Sequence, residues 1–355
     1  MSGPTRSKNP SAPPVQSRRL DLRSYDEFID AVQDAAIGGS ILRKDERPWR
    51  LATHFVGAAL VQFGQNGAPS VSEVQVAPDR TGLVVLAPEA PPRFVEGREM
   101  GADALNLLRP GAFVELSTPV PTSWLSVTAS PEAVGREAAV LAGTPLGSTP
   151  VPTASLIWDP SEAARLRTLL LEVTGALDSA PGALHPEAAA NLEQTLLRAL
   201  ASVTLDSSSG RQRGRPLRVE RSSAFRSIFE FLRTLPSGPV YVEDLCRATG
   251  LPERTLRLLF LEQFGESPVR VLRARRLCLA YEALQEPGVG LKQIRLVAGS
   301  YGFWHMGQFA ADYRTLFGER PSDTVRRARQ SGPRPQTLRA ITNVAGLPGT
   351  QAAAR

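Results

Sequence analysis

Arg254 and Arg257 stand three residues apart and so share one face of a helix, and Gln308 lies farther along the chain. A guanidinium offers parallel N–H donors that fit guanine O6 and N7, and a carboxamide fits adenine N6 and N7. Side chains of these types on outward helix faces can read base edges in a DNA major groove. For the two arginines the competing roles are a phosphate clamp and an intrahelical pair with Glu253. Leu258 can touch a thymine methyl or pack inward. His305 can meet a phosphate, a base edge or the start of its own helix, and Met306 completes the outward set of the second stretch. Arg273 and Arg314, together with Arg270, Arg275, Arg276, Lys292, Arg295, Arg320, Arg326 and Arg327, supply attraction for a phosphate backbone.

Other chemistries lack their residues. The three histidines, His54, His185 and His305, do not cluster, so neither a metal site nor a metal-binding cupin is expected. No nucleophile elbow, P-loop or dinucleotide fingerprint occurs, and no cofactor or catalytic residue is expected. The two cysteines, Cys246 and Cys278, exclude a disulfide framework and read as small hydrophobes.

The reading side chains need a scaffold, and the sequence writes one twice. Leu256, Phe260, Phe264, Gly265, Glu266 and Pro268 find counterparts 53 residues later in Phe309, Tyr313, Phe317, Gly318, Glu319 and Pro321. In each copy two apolar residues four apart bury an inner face. A glycine after the last phenylalanine ends the helix, and a proline opens the next one, where a missing N–H does no harm. The periodicity predicts helices over 222–235, 241–248, 253–264, 267–285, 292–299, 304–317 and from 322 onward. Two such units about 50 residues apart can place two helices in successive major grooves. Trp304 is expected to act as a structural wedge.

Residues 220–330 resemble the AraC/XylS family of bacterial transcription regulators. The string Gly302-Phe303-Trp304-His305-Met306-Gly307-Gln308-Phe309-Ala310-Ala311-Asp312-Tyr313-Arg314, followed by Phe317-Gly318-Glu319-Arg320-Pro321-Ser322, carries the likeness. The resemblance implies seven helices, two helix-turn-helix motifs joined by a rigid helix, and binding to double-stranded promoter DNA. It also implies contact with RNA polymerase as an activator, and a variable N-terminal half, often cupin-like, that senses and dimerises. Relatives commonly carry basic residues where Leu258 and Ala311 stand here, and at Ala311 this implies fewer phosphate contacts from the second helix.

Charge follows the same division. Residues 1–210 carry 17 basic and 23 acidic side chains, whereas residues 211–330 carry 21 and 12. A basic segment behind an acidic one points to a polyanion partner for one half only. Hydrophobic content of 42% and charged content of 21% are those of a soluble globular protein. No apolar run reaches membrane-spanning length, and the first residues lack the apolar core of a secretory signal, so a cytoplasmic protein is expected.

The expected fold class is α+β: a mostly-β, cupin-like sensing domain with a helical hairpin, then an all-α domain with two helix-turn-helix motifs. A leader spans 1–19 and a β-rich domain 20–155, with strands at 53–62, 71–76, 82–86, 112–116 and 123–127 after a helix over 21–36. The hairpin spans 156–206, with leucine stripes in 161–178 and 186–203 that either cover the strand domain or join a twin subunit as a homodimer. A basic linker spans 207–219, the DNA-binding module 220–330 and a tail 331–355. A small-molecule effector entering the strand domain is expected to meet an apolar interior, with Trp49, Arg50, His54 and Trp124 as liners. Control of the same module by a protein partner is the alternative. An enzyme with a helical appendage is the remote one.

Overall fold

The computed structural model describes residues 15–44, 47–143, 156–179, 184–208, 219–234 and 239–331. The linker core and the tail named above lie outside them. Twelve strands and eleven α-helices form among the described residues.

The first half is a sandwich of two antiparallel sheets. Its strands are β1 (Gln16–Leu22), β2 (Ala35–Ile41), β3 (Trp49–Val56), β4 (Ala59–Gln65), β5 (Ser70–Val76), β6 (Thr81–Leu86), β7 (Arg93–Val95), β8 (Arg98–Met100), β9 (Ala104–Leu108), β10 (Phe113–Thr118), β11 (Ser123–Ala129) and β12 (Leu156–Trp158). One sheet runs β1-β3-β4-β11-β6-β9-β12 and the other β2-β5-β10-β7-β8. This is the double-sheet plan shared by jelly rolls and cupins.

Alternation along each strand sorts side chains between layers. Leu83 and Val85 of β6 face outward into a helical layer, while Val84 and Leu86 face the space between the sheets. Both faces are covered, so β6 reads as a continuous apolar run. Helices α2 (Pro131–Ala142), α3 (Pro160–Ser179) and α4 (Pro186–Ser208) form the outer layer. Leu166, Leu170, Val173 and Leu177 of α3 and Leu196, Leu197 and Leu200 of α4 share one core with Val61, Leu83, Val85 and Val127. The hairpin stripes are thus spent on the large sheet.

Helix α1 (Tyr25–Ala31) is shorter than the helix expected over 21–36. Ser24 caps its first turn, and Val32 leaves it in an extended conformation. Asp34 then adopts a positive φ of 62°, and Ala35 starts β2. The leader expected through Arg19 is likewise cut short, because Gln16 to Leu22 pair along β3. The run 53–62 is not one strand but parts of two, folded into a β3–β4 hairpin at Gly57 and Ala58.

Among the described residues the second half holds seven α-helices: α5 (Val219–Thr234), α6 (Val242–Thr249), α7 (Glu253–Phe264), α8 (Pro268–Leu284), α9 (Ile294–Ser300), α10 (Met306–Phe317) and α11 (Pro321–Ser331). Its first core gathers Phe225, Phe229, Leu245, Leu256, Phe260 and Phe264, and its second gathers Leu277, Tyr281, Phe303, Phe309, Tyr313 and Leu316. The first core also takes in Leu42 and Val71 from the outer face of the small sheet, so the halves share buried surface.

Candidate nucleic-acid interface

The duplication seen in sequence is a duplication in space. The first unit is α6, a turn at Gly250 and α7; the second is α9, a turn at Gly302 and α10. Leu256 and Phe309 are equivalently and fully buried, as are Phe260 and Tyr313. Gly265 and Gly318 end α7 and α10 in the left-handed region at φ 67° and 75°, each donating its N–H to a carbonyl of the preceding turn. An L side chain resists that conformation, which is why glycine stands at both places.

With the inner faces spent, the opposite faces stay in solvent. On α7, Arg254 and Arg257 are exposed and have no ion-pair partner among the described residues, so no intrahelical pair with Glu253 holds them. Leu258 points outward at 61% exposure, which removes the inward alternative. Leu261, one turn on, is exposed beside it.

On α10, Gln308, Ala311 and Arg314 are exposed. His305 occupies the N-cap position, but its side chain makes no capping hydrogen bond, so the imidazole is left for another use. Met306 corrects the expectation of an outward residue: it is half-buried against the second core. Trp304 is corrected in the other sense. It is 77% exposed and cannot wedge the unit; it stands in solvent ahead of α10.

The basic side chains divide. Arg273 of α8 pairs with Asp312 of α10, which also accepts a hydrogen bond from Gln308 Nε2 at 2.8 Å. Arg275, expected to attract phosphate, is buried under α5 with Nη2 3.4 Å from the Leu232 carbonyl, and burial lowers its pKa to about 10. Arg276 lies 5.6 Å from the Tyr241 ring and 5.2 Å from the Phe303 ring, a cationic bridge from one unit to the other. Arg270, Arg326 and Arg327 pair with Glu266, Asp323 and Glu319. Lys292, Arg295, Arg314 and Arg320 remain on the surface.

Helix α7 is tied to the sandwich. Ser117 Oγ of β10 donates to the Gln263 carbonyl at 2.6 Å, and Gln263 Nε2 donates to the Gly97 carbonyl at 3.3 Å. Gly97 has φ 73°, and a Cβ there would lie 2.8 Å from Phe225 Cβ, so the β7–β8 turn sits hard against α5. Arg43 reaches Glu266 at 3.7 Å. Cys278 lies buried under the Ile41 carbonyl, where burial pushes its thiol up to about 12.

The helix-turn-helix domain family model matches residues 245–327. The "XylDLEGF operon transcriptional activator 2" of Pseudomonas putida is 33% identical over 107 residues, which cover 30% of this chain and 68% of that protein. The chain belongs to the AraC/XylS family of transcription regulators. A second Pseudomonas putida relative, "XylDLEGF operon transcriptional activator 3", is 32% identical over 108 residues, and the chain spans 33% of its length. A solved structure of a probable AraC family transcriptional regulator from Rhodopseudomonas palustris is 32% identical, covering 30% of this chain and 97% of that one, with a TM-score of 0.26. Among the described residues no helix is long and apolar enough to cross a membrane.

The expected effector liners scatter. Trp124 lines the space between the sheets. Trp49 packs on Tyr25 and Phe28 beneath α1. His54 faces the opposite side of the large sheet, with Nδ1 2.9 Å from Ser17 Oγ, and Arg50 sits on the surface with Asp21. The interior is also more polar than expected, since Arg93, Asn106 and Ser126 line it. The register could have exposed these: Asn106 and Gln62 fall on inward positions of β9 and β4, and Ser126 falls between Trp124 and Thr128 on the inward face of β11.

Proposed function

We propose that the chain is a promoter-binding activator that inserts α7 and α10 into successive major grooves of its operator. Arg254, Arg257 and Leu258 read one groove. Gln308, His305 and the exposed Trp304 meet the next, with Arg314 on a phosphate. The observation that carries this reading is the pair of outward helix faces repeated 53 residues apart and held by one linking helix, α8. The activator sense is supported by the names of both Pseudomonas putida relatives. Contact with RNA polymerase, homodimerisation and control by a small effector in the sandwich belong to the same proposal, as does a cytoplasmic location.

The deciding experiment maps bound sites across the genome with the full chain and then measures affinity for a recovered site against salt. Neutralising Z phosphates gives a slope of about −0.9Z in log affinity against log salt. A steep slope and one recurring sequence are expected. Salt-insensitive affinity, or no preferred duplex, overturns the reading. Sedimentation of the full chain tests the dimer, and a reporter downstream of a recovered site separates activation from repression.

A further inference from the structure

Between the two sheets lies a cavity of about 80 Å³, closed on one side by α1. Arg93 of β7 enters it at 4% exposure. No carboxylate pairs with this guanidinium and no hydrogen bond holds it among the described residues, and its Nε is buried without a partner. Burial alone lowers its pKa, to about 10. An uncompensated buried charge is among the most destabilising features a fold can carry, and an ion or ligand that completes it offsets that cost.

Arg93 is not the sole orphan. Asn106 Oδ1 and Ser126 Oγ are buried without partners and line the same cavity. Their strands explain the convergence: Asn106 pairs with Val84, Val84 with Ser126, and Ser126 with Gln62. That row crosses the inner face of the large sheet, opposite β7. The one acid of the lining, Asp34, is already engaged, by Arg80 at 3.4 Å and by Thr128 Oγ1 at 2.5 Å. The rest of the lining joins apolar side chains, among them Phe28, Ile29, Val32 and Trp124, to polar ones that already have partners: Tyr25 with Ser72, Ser70 with Thr118, Gln62 with the Gln33 carbonyl and Asn66 with Trp124. A larger cleft of about 520 Å³ between α1 and α8 offers no comparable vacancy, because its Arg327 is held by Glu319 and Tyr281.

We propose that this cavity binds a small monocarboxylate, its carboxylate on Arg93 and a hydroxyl substituent on Asn106 and Ser126. Size supports the class. A 150 Å³ cavity takes a benzene ring, so the present one takes an acid of about two to four carbons. The inference rests on the reading of the sandwich as a sensing domain, and it adds a route. Leu116 and Thr118 of β10 line the cavity, while Ser117 between them points the other way and holds the Gln263 carbonyl of α7. Arg93 begins β7, and Gly97, the second anchor of Gln263, lies in the turn that follows that strand. One strand pair therefore separates the site from the first reading helix.

The test uses the full chain and sodium lactate, with propionate, lactamide and matched sodium chloride beside it. At about 10 mM, lactate is expected to raise Tm by a few degrees, propionate by less, and lactamide and chloride not at all. Arg93→Met should abolish the response and leave the unliganded protein as stable as the parent or more so, since it removes an unpaired charge. Asn106→Leu should abolish the preference for lactate over propionate, and it serves if Arg93→Met does not fold. A parent Tm unmoved by both acids overturns the site, as does an Arg93→Met protein that responds like the parent. Affinity for a mapped operator, measured in the same samples, keeps the two readings apart. Intact DNA binding without a Tm shift sinks the site alone. A Tm shift without any change in DNA affinity keeps the site and sinks the sensing role.

Discussion

Asp312 holds Arg273 and Gln308 at once, joining the linking helix to the second reading helix through one carboxylate. Gln308 is the side chain best suited to adenine on α10, and its amide is held 2.8 Å from Asp312 Oδ1. The carboxylate thus sets the direction of the Gln308 amide, while Arg273 fixes α10 relative to α8. Asp312→Ala should cost about 0.5–1 kcal/mol of stability, the range of a partly exposed pair. Its larger effect should fall on discrimination: affinities for operator variants in the second half-site should converge. Competition binding across single-base variants checks this, and an unchanged preference would remove Asp312 from the reading apparatus.

Arg257→Ala should lower specific affinity by about 1–3 kcal/mol and relax preference at one base pair. The arginine is exposed on α7 and has no ion-pair partner among the described residues to release it from. Equal loss against every operator variant would make it a phosphate contact instead.

Gly265→Ala and Gly318→Ala place a Cβ at positive φ, which costs about 1–2 kcal/mol. The surroundings then separate the two. A Cβ at Gly265 would lie 3.3 Å from Pro119 Cβ in the sandwich, whereas one at Gly318 would meet the mobile end of the Lys44 side chain. Gly265→Ala should therefore lower Tm more than Gly318→Ala. Thermal unfolding of both variants tests the order.

His54 makes stability depend on pH. It is buried between Ser17 and Asp178, and burial lowers its pKa below the ordinary imidazole value, although Asp178 acts in the opposite direction. The unfolded chain takes up the proton first as pH falls through about 6.5, while the folded imidazole resists it. The stability that His54 contributes is thus present above that pH and lost below it. Denaturant unfolding between about pH 7.5 and 5.5 should show the decline, and His54→Gln should flatten it.

Gln263 connects the halves, and its removal should disconnect them. Gln263→Ala deletes the bond to the Gly97 carbonyl while leaving α7 helical. Affinity for operator DNA should persist, and its response to any ligand of the sandwich should shrink. A response equal to that of the parent would show that coupling runs elsewhere.

The reading units were legible because their signals are local. Glycine at a left-handed helix end, proline at the next helix start and aromatic residues four apart need no distant partner to be interpreted. They set α7 at the predicted residues and the other six helices of this half within a few. The strand half was read less well. Strand β2, Ala-Ala-Ile-Gly-Gly-Ser-Ile, has no alternation of its own and exists because β5 pairs with it. Helix α2 carried local signals that sequence reading passed over: a Ser130 cap, Pro131 in its first turn and Gly143 beyond its end.

By itself, then, the sequence determined a duplicated, basic helix-turn-helix module and its family, since both follow from spacing and residue type along a single stretch of chain. Tertiary structure decided which of the basic residues face solvent, that Trp304 stands out and Met306 packs in, and that Arg93, Asn106 and Ser126 meet between two sheets. Those outcomes depend on which strands pair and which faces are covered, and burial turns an ordinary arginine into an unpaired charge only once residues far apart in the chain have closed around it.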